Sequence, residues 1–327
     1  MDVHGGVVDL LGAWVVDACD DGEAATVEAH LQECAACAAE AERLQAAASW
    51  LGVEELQPPP AQLRESVLTM ARTRRQPSLL HTLTSAYAGQ VALLDRALDA
   101  LAPSEWQHAD PRHHDVIGII RHLVSNDTML AADLGMPVVS VPVAVASGPA
   151  VHEAWRAQTD TLVEGLHAGV PLDHTARFAG TGDTGQGPLR DVLVQRAFET
   201  WTHLDDLGAA VGQPQPAPRP EQVRRIVDLA VKLLPDALRA HDVVRPGRSV
   251  RLALDGSGGG EWTFPLGRHP VHADDHARVD VTISAKAVEF CRLVGNRHTP
   301  ETLRHTVTGD RGLATTVLQV ATTLGCD

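Results

Sequence analysis

His30-Leu-Gln-Glu-Cys34-Ala-Ala-Cys37 sets one imidazole and two thiols at offsets of four and seven residues. Thiolate and imidazole are donors that tetrahedral Zn²⁺ takes, and a site with four protein ligands is structural rather than catalytic. On one continuous helix those offsets put all three side chains on a single face. With 17 His and five Cys in 327 residues, chance supplies only about 0.003 such runs, so the spacing itself argues for a metal. Two residues compete for the fourth position. His4 lies just before the first expected helix, and Cys19 lies near its end. Antiparallel packing of two helices would bring His4 beside the ligand face of the second.

A second constellation is more dispersed. Phe198-Glu199-Thr200-Trp201-Thr202-His203 holds a carboxylate and an imidazole four residues apart. On a helix they share one face, although chance alone gives roughly 0.8 pairs of this kind in such a chain. His122, in Ile119-Ile120-Arg121-His122-Leu123, falls on another expected helix. Bundle interiors often host His/Glu metal sites. His122, Glu199 and His203 together form a two-His, one-carboxylate set, which leaves coordination positions open for water or substrate. The plainer alternative is a buried polar network. The remaining histidines, including His113, His114, His269, His272, His276 and His298, read as surface or structural residues, and Cys291 and Cys326 as packed or terminal thiols.

Two resemblances add to this reading. His4, the run Leu10 to Ala18, Glu23 to Cys37 and the Pro-rich break that follows resemble the zinc-binding anti-sigma factors over about the first 75 residues. That resemblance favours His4 over Cys19 as fourth ligand. It implies a helical domain that sequesters an extracytoplasmic-function sigma factor. Redox-responsive members place a third cysteine among the ligands where this chain has His4, which argues against a thiol–disulfide switch. Asp115 to Leu123 and Arg196 to Gly212 resemble the DinB-like family that includes mycothiol-dependent maleylpyruvate isomerase. There the positions matched by His122, Glu199 and His203 bind a divalent metal, zinc by this donor set, and Asp206 falls in the motif that follows. Phe290 to Arg297 and Val307 to Ala314 resemble the sterol-carrier-like domain of the same enzymes. Where that family often has a Trp ahead of the first metal-binding helix, this chain reads Pro111-Arg112-His113-His114.

The elements that must position these residues are mostly helices. Short helices fill 5–50, with Asp20-Asp21-Gly22 ending the first pattern and a second running from Glu23 to Trp50; Pro58-Pro59-Pro60 then breaks the chain. Ala61 to Arg75 is amphipathic through Leu63, Val67 and Met70, and Arg72, Arg74 and Arg75 sit at the end where a helix dipole favours cations. Apolar periods of three and four mark helices at 79–101, 115–130, 152–168 and 189–211, a four-helix bundle. Long connections at 131–151 and 169–188 interrupt it. The Pro-rich stretch Gln213 to Arg219 leads to a helix at 220–240, strands at 250–254, 261–265 and 279–283, and helices near 285–294, 300–307 and 312–323. The expected architecture is therefore multidomain and mainly α. A small zinc-bound helical domain (1–78) precedes a DinB-like bundle (79–212) and a small sterol-carrier-like α/β domain (220–327).

Composition bounds the function. Hydrophobic residues make up 44% of the chain and aromatics 3%, so aliphatic side chains must fill the cores. A net charge of −15 opposes direct binding of nucleic acid, whose phosphates attract basic surfaces. The odd, locally clustered cysteines suit a reduced chain with a metal site better than a disulfide framework. No signal peptide or membrane span is visible, and the chain reads as cytoplasmic. No Ser-His-Asp arrangement, P-loop or dinucleotide fingerprint competes with the metal sites. The expectation is an anti-sigma factor whose enzyme-like module senses a ligand, such as a low-molecular-weight thiol. The alternative is a mycothiol-dependent isomerase or thiol transferase with an accessory zinc domain.

Overall fold

The computed structural model describes residues 3–52, 63–68, 78–139, 147–180, 185–267 and 278–325. Contacts divide the chain into two compact units, Met1–Gln76 and Pro77–Asp327. The Pro58 to Pro60 break, Met70, the arginines at 72, 74 and 75, Gly182, His269, His272, His276 and Cys326 lie outside the described residues.

The first unit contains α1 (Val3–Val15), α2 (Asp21–Glu33), α3 (Ala35–Gly52) and α4 (63–68). Asp20 starts α2 with a capping box: its carboxylate accepts from the Gly22 and Glu23 amides, and the Glu23 side chain accepts from the Asp20 amide. The buried core of α1 to α3 is small, consisting of Val7, Leu11, Val27, Cys37 and Ala41. His4 falls within the first turn of α1 rather than before it. The single helix expected from Glu23 to Trp50 is broken at Cys34, which is extended (φ −118°, ψ 99°). The reason is geometric. Seven residues of α-helix advance about 10 Å, too far for His30 and Cys37 to reach a common ion, and the break folds Cys37 back toward His30.

The second unit opens with the bundle α5 (Leu79–Asp99), α6 (Val116–Asp133), α7 (Gly148–Ala168) and α8 (Leu189–Val211). Local signals fix its helix ends. Ser78 caps α5 by accepting from the His81 amide at 3.2 Å, and Asp115 caps α6 by accepting from the Gly118 amide at 2.7 Å. Gly212, left-handed at φ +70°, ends α8. The bundle core has two apolar clusters: Leu94, Leu98, Ile119, Ile120, Leu123 and Leu204 with Trp155 in one, and Leu83, Leu162, Leu189 and Val192 with Tyr87 in the other. Before α6 a short hairpin pairs β1 (Ala109–Asp110) with β2 (His114–Asp115). The connection before α8 holds a second hairpin, β3 (Thr175–Arg177) with β4 (Gln186–Pro188).

An α/β lobe follows within the same unit: α9 (Pro220–Ala240), β5 (Arg248–Asp255), β6 (Gly260–Pro265), β7 (Arg278–Lys286), α10 (Ala287–Val294), β8 (His305–Gly309) and α11 (Arg311–Ala321). The sheet order is β6-β5-β7-β8, with β5 and β7 parallel and the other pairs antiparallel. The helix expected at 300–307 is not formed: His305–Gly309 is an edge strand paired with β7. Its alternate Thr306 and Thr308 flank Val307, a β-branched run that suits a pleated ladder better than a helix. Phe198 and Trp201 of α8 enter the core of this lobe, while Leu204 of the same helix packs in the bundle. α8 is thus buried from two sides.

That placement forces charged groups inside. Asp127, Arg196 and Glu199 are each at most 1% exposed. Arg196 donates to Asp127 Oδ1 from Nε at 3.1 Å and from Nη2 at 2.8 Å, and its Nη1 pairs with Glu199 Oε2. Trp155 Nε1 donates to the other Asp127 oxygen at 3.1 Å. Removing one member of such a set strands the others in low dielectric. Arg196→Leu is expected to lower the unfolding free energy by about 3–5 kcal/mol, read by urea denaturation. A loss under about 1 kcal/mol, the size of a surface pair, would contradict the role given to this cation.

Candidate metal centres

In the first unit His4, His30, Cys34 and Cys37 converge, their donor atoms all within 4.8 Å of one another. His4 Nδ1 lies 3.2 Å from His30 Nε2, 3.9 Å from Cys34 Sγ and 3.7 Å from Cys37 Sγ. Around a tetrahedral zinc, with bonds of about 2.0–2.3 Å, donors stand about 3.3–3.8 Å apart by simple geometry, so the spacing fits that ion. Cys19 is not part of the group; its thiol donates to the Leu10 carbonyl at 3.9 Å. The N-terminal turn of α3 prepares the thiols. Backbone amides of Cys37 and Ala36 lower the Cys34 pKa, the Cys37 amide most, while burial raises that of Cys37. Cys34 is therefore the readier thiolate, the form that binds metal.

In the second unit the structure brings His122 of α6 together with Glu199 and His203 of α8. Glu199 Oε1 lies 2.8 Å from His122 Nε2 and 3.9 Å from His203 Nε2. Asn126, one turn beyond His122, contacts His122 Nε2 at 2.9 Å and also donates to Glu199 Oε1. Because Arg196 holds Glu199 Oε2, the carboxylate has one oxygen for the arginine and one for the histidines. The His122 side chain is 23% exposed and that of His203 is fully buried.

Asp206, one turn after His203, fixes that ring: Asp206 Oδ2 lies 3.1 Å from His203 Nδ1. A carboxylate on one ring nitrogen turns the other toward a metal and sharpens its basicity. Burial first, then the Arg297 and His122 charges, pushes the His203 pKa down to about 4, so the ring is neutral and able to ligate. Burial works against the Asp206 charge, but hydrogen bonds from His203 and Arg297 outweigh it and hold its pKa at about 2. Arg297 Nε donates to Asp206 Oδ1 at 3.1 Å, and its Nη2 pairs with Oδ2. An open cleft of about 550 Å³ adjoins this carboxylate, with Arg112, Arg292 and Arg297 in its wall.

One member of the centre was not legible in the sequence. His113, read as a surface or structural residue, lies over both partners, with ring centroids 4.7 Å from His122 and 4.8 Å from His203. Donor nitrogens of His113, His122 and His203 lie within 4.8 Å of one another. The signal available was the local string Asp110-Pro111-Arg112-His113-His114, a turn run directly ahead of the His122 helix. The other described histidines assigned to surface or structure, His114 and His298, stay outside it. His298 Nε2 lies 2.6 Å from Glu289 Oε2. Cys291 is fully buried and its thiol is pushed up by that burial.

The comparisons with known proteins bear on each unit separately. Residues 6–38 match the family described as "Putative zinc-finger". The match spans His30, Cys34 and Cys37, and His4 stands just ahead of it. No match to a curated protein was found. Among solved structures, mycothiol-dependent maleylpyruvate isomerase is similar at 13% identity and a TM-score of 0.48, over 71% of this chain and 94% of that one. A point mutant of the same enzyme gives the same values. Among the described residues no helix is long and apolar enough to cross a membrane.

Two outcomes are expected. Cys34→Ser should release the zinc of the first unit and open residues 3–52 to protease, since so small a core leans on the ion for folding energy. Unchanged metal content and unchanged cleavage there would count against it. Asp206→Ala should weaken divalent-metal affinity at the second centre by about 10–100-fold, the effect of removing a carboxylate that orients a ligand histidine. Equal affinities in a chelator competition would refute that role.

Proposed function

We propose that this chain is a cytoplasmic, zinc-containing anti-sigma factor. Its first unit sequesters an extracytoplasmic-function sigma factor, and its second unit is a metal-holding module that senses a low-molecular-weight thiol such as mycothiol. The observation that carries the first part is the coincidence of the zinc-finger match with four donors gathered at zinc spacing. The exposed Leu63, Val67 and Leu68 of α4 add an apolar surface for a protein partner. A net charge of −15 suits a basic protein partner and opposes DNA.

The sensing part rests on the second centre. His122, Glu199 and His203 suit a divalent ion, and zinc accepts a thiolate as a further ligand. The cleft beside Asp206, walled by Asp205, Arg112, Arg292 and Arg297, offers polar donors and acceptors to a hydroxyl-rich thiol. Sensing requires the ligand to bind the sigma-free and sigma-bound states unequally; otherwise it shifts nothing. A tenfold change in sigma affinity needs only about 1.4 kcal/mol of such coupling. The second reading is a mycothiol-dependent isomerase or thiol transferase, favoured by the same centre, where a metal-bound thiol would be the nucleophile. In that case the zinc unit is an accessory.

The full chain should recover a sigma factor from its native host, and residues 1–78 should bind the same sigma factor. Thiol should change the affinity of the full chain and leave that of the fragment unaltered. Failure of both forms to bind any host sigma factor, with turnover of a thiol-dependent substrate by the purified chain, would establish the enzymatic reading instead.

A further inference from the structure

We propose that His113 is itself a ligand of the second centre, and that it occupies the coordination position an incoming thiol must take. This rests on the metal reading of His122, Glu199 and His203 and adds a gate to it. A set of two histidines and one carboxylate is open. A set of three histidines and one carboxylate is closed, as in structural zinc sites.

The local chain is built to deliver this ring. Asp110 is buried, and its Oδ1 accepts from the Arg112 amide at 2.9 Å and the His113 amide at 2.7 Å, tightening the turn between β1 and β2. His114 completes the turn in the left-handed region at φ 75°, an uncommon conformation for a side chain-bearing residue. Gly118, in the first turn of α6, supplies clearance: a Cβ there would overlap the His113 carbonyl oxygen. On the far side Arg112 reaches the Asn296 carbonyl and lies 3.7 Å from Asp206 Oδ1. A cap, a left-handed residue, a glycine and an arginine strut all act on one five-residue turn. Their joint result is that the His113 ring stands 4.7 Å and 4.8 Å from two rings already aimed at a metal.

Exchange at this centre then has a defined balance. Were a divalent ion held here, His113 would give up its position to the thiol sulfur, and the thiol proton would be accepted by the released His113 nitrogen, so that one donor replaces one donor and one proton is accounted for. Because the hairpin must release His113 first, apparent thiol affinity falls by the fraction of time the position is open.

The test uses the full chain carrying Cys34→Ser and Cys37→Ser, so that no first-centre thiol remains and bound Co²⁺ reports on the second centre, with N-acetylcysteine as the probe. With His113 present, the thiol should bind weakly. In His113→Ala it should bind about tenfold tighter or more, with a stronger sulfur-to-cobalt charge-transfer band, and cobalt affinity should fall. Gly118→Ala, which keeps His113 but displaces the hairpin, should move both readouts the same way and covers the case in which His113→Ala fails to fold. Superimposable thiol and cobalt titrations in all three proteins would overturn the role of His113 alone. Absence of cobalt from the second centre would overturn it together with the metal reading of that unit, whatever the sigma-binding experiment gives.

Discussion

The buried Arg196 guanidinium is the contact on which the second unit's interior turns. It joins α8 to α6 through Asp127 and reaches along its own helix to Glu199. Desolvating three charges rarely adds net stability over an apolar core of the same volume, so the set is better understood as fixing one arrangement. With Arg196 on Oε2, Glu199 must present Oε1 to His122 and His203. A slip of α8 by one residue would turn Glu199 and His203 away from α6 and bring Phe198 or Thr202 to face the charges instead. Register, carboxylate orientation and ligand geometry are therefore one constraint.

The two centres relate to their surroundings in opposite ways. Around the first, the buried core among the described residues is Val7, Leu11, Val27, Cys37 and Ala41, and the break at Cys34 brings Cys37 back toward His4 and His30. A core so small makes any metal bound there a contributor to folding. Around the second, packed cores surround His122, Glu199 and His203, Arg196 holds the Glu199 carboxylate, and Arg297 holds Asp206 behind His203. The side chains of the second group are therefore positioned by protein contacts, whereas those of the first lie around a small core.

Helical periodicity made the bundle legible, because each of its helices buries an apolar stripe. Glu199 and His203 were visible as an i,i+4 pair, and His122 by its helix. Three features were hidden. Nothing in Glu33-Cys34-Ala35-Ala36 marks a helix end, since alanine is the best helix former and the break comes from the site's geometry. The strand His305–Gly309 overlaps the end of the helix expected at 300–307, and its strand character depends on β7, a non-local partner. His113 was set aside because it lies nine residues before His122, at no helical or strand period. Only the turn chemistry of Asp110 and the room at Gly118 bring it over the centre.

The support behind His203 extends well past the bundle. Asp205 and Asp206 are adjacent on α8, and each is held from the α/β lobe: Asp205 by Arg292 of α10 at 2.8 Å, Asp206 by Arg297 just beyond that helix. Arg292 also lies over the Trp201 ring, 5.6 Å from its centroid. Between them, Asn296 is left-handed at φ 57° and gives its carbonyl to Arg112 of the hairpin. One short segment, 292–297, thus touches the carboxylate that orients His203 and the turn that carries His113. A ligand that moved His113 would free Arg112 from Asn296, and the same segment would then have to re-form its contacts with Asp206. Coupling of this kind needs no path through the hydrophobic core. It needs only that contacts sharing one loop compete, and a ligand would shift such a competition only by binding its two arrangements unequally.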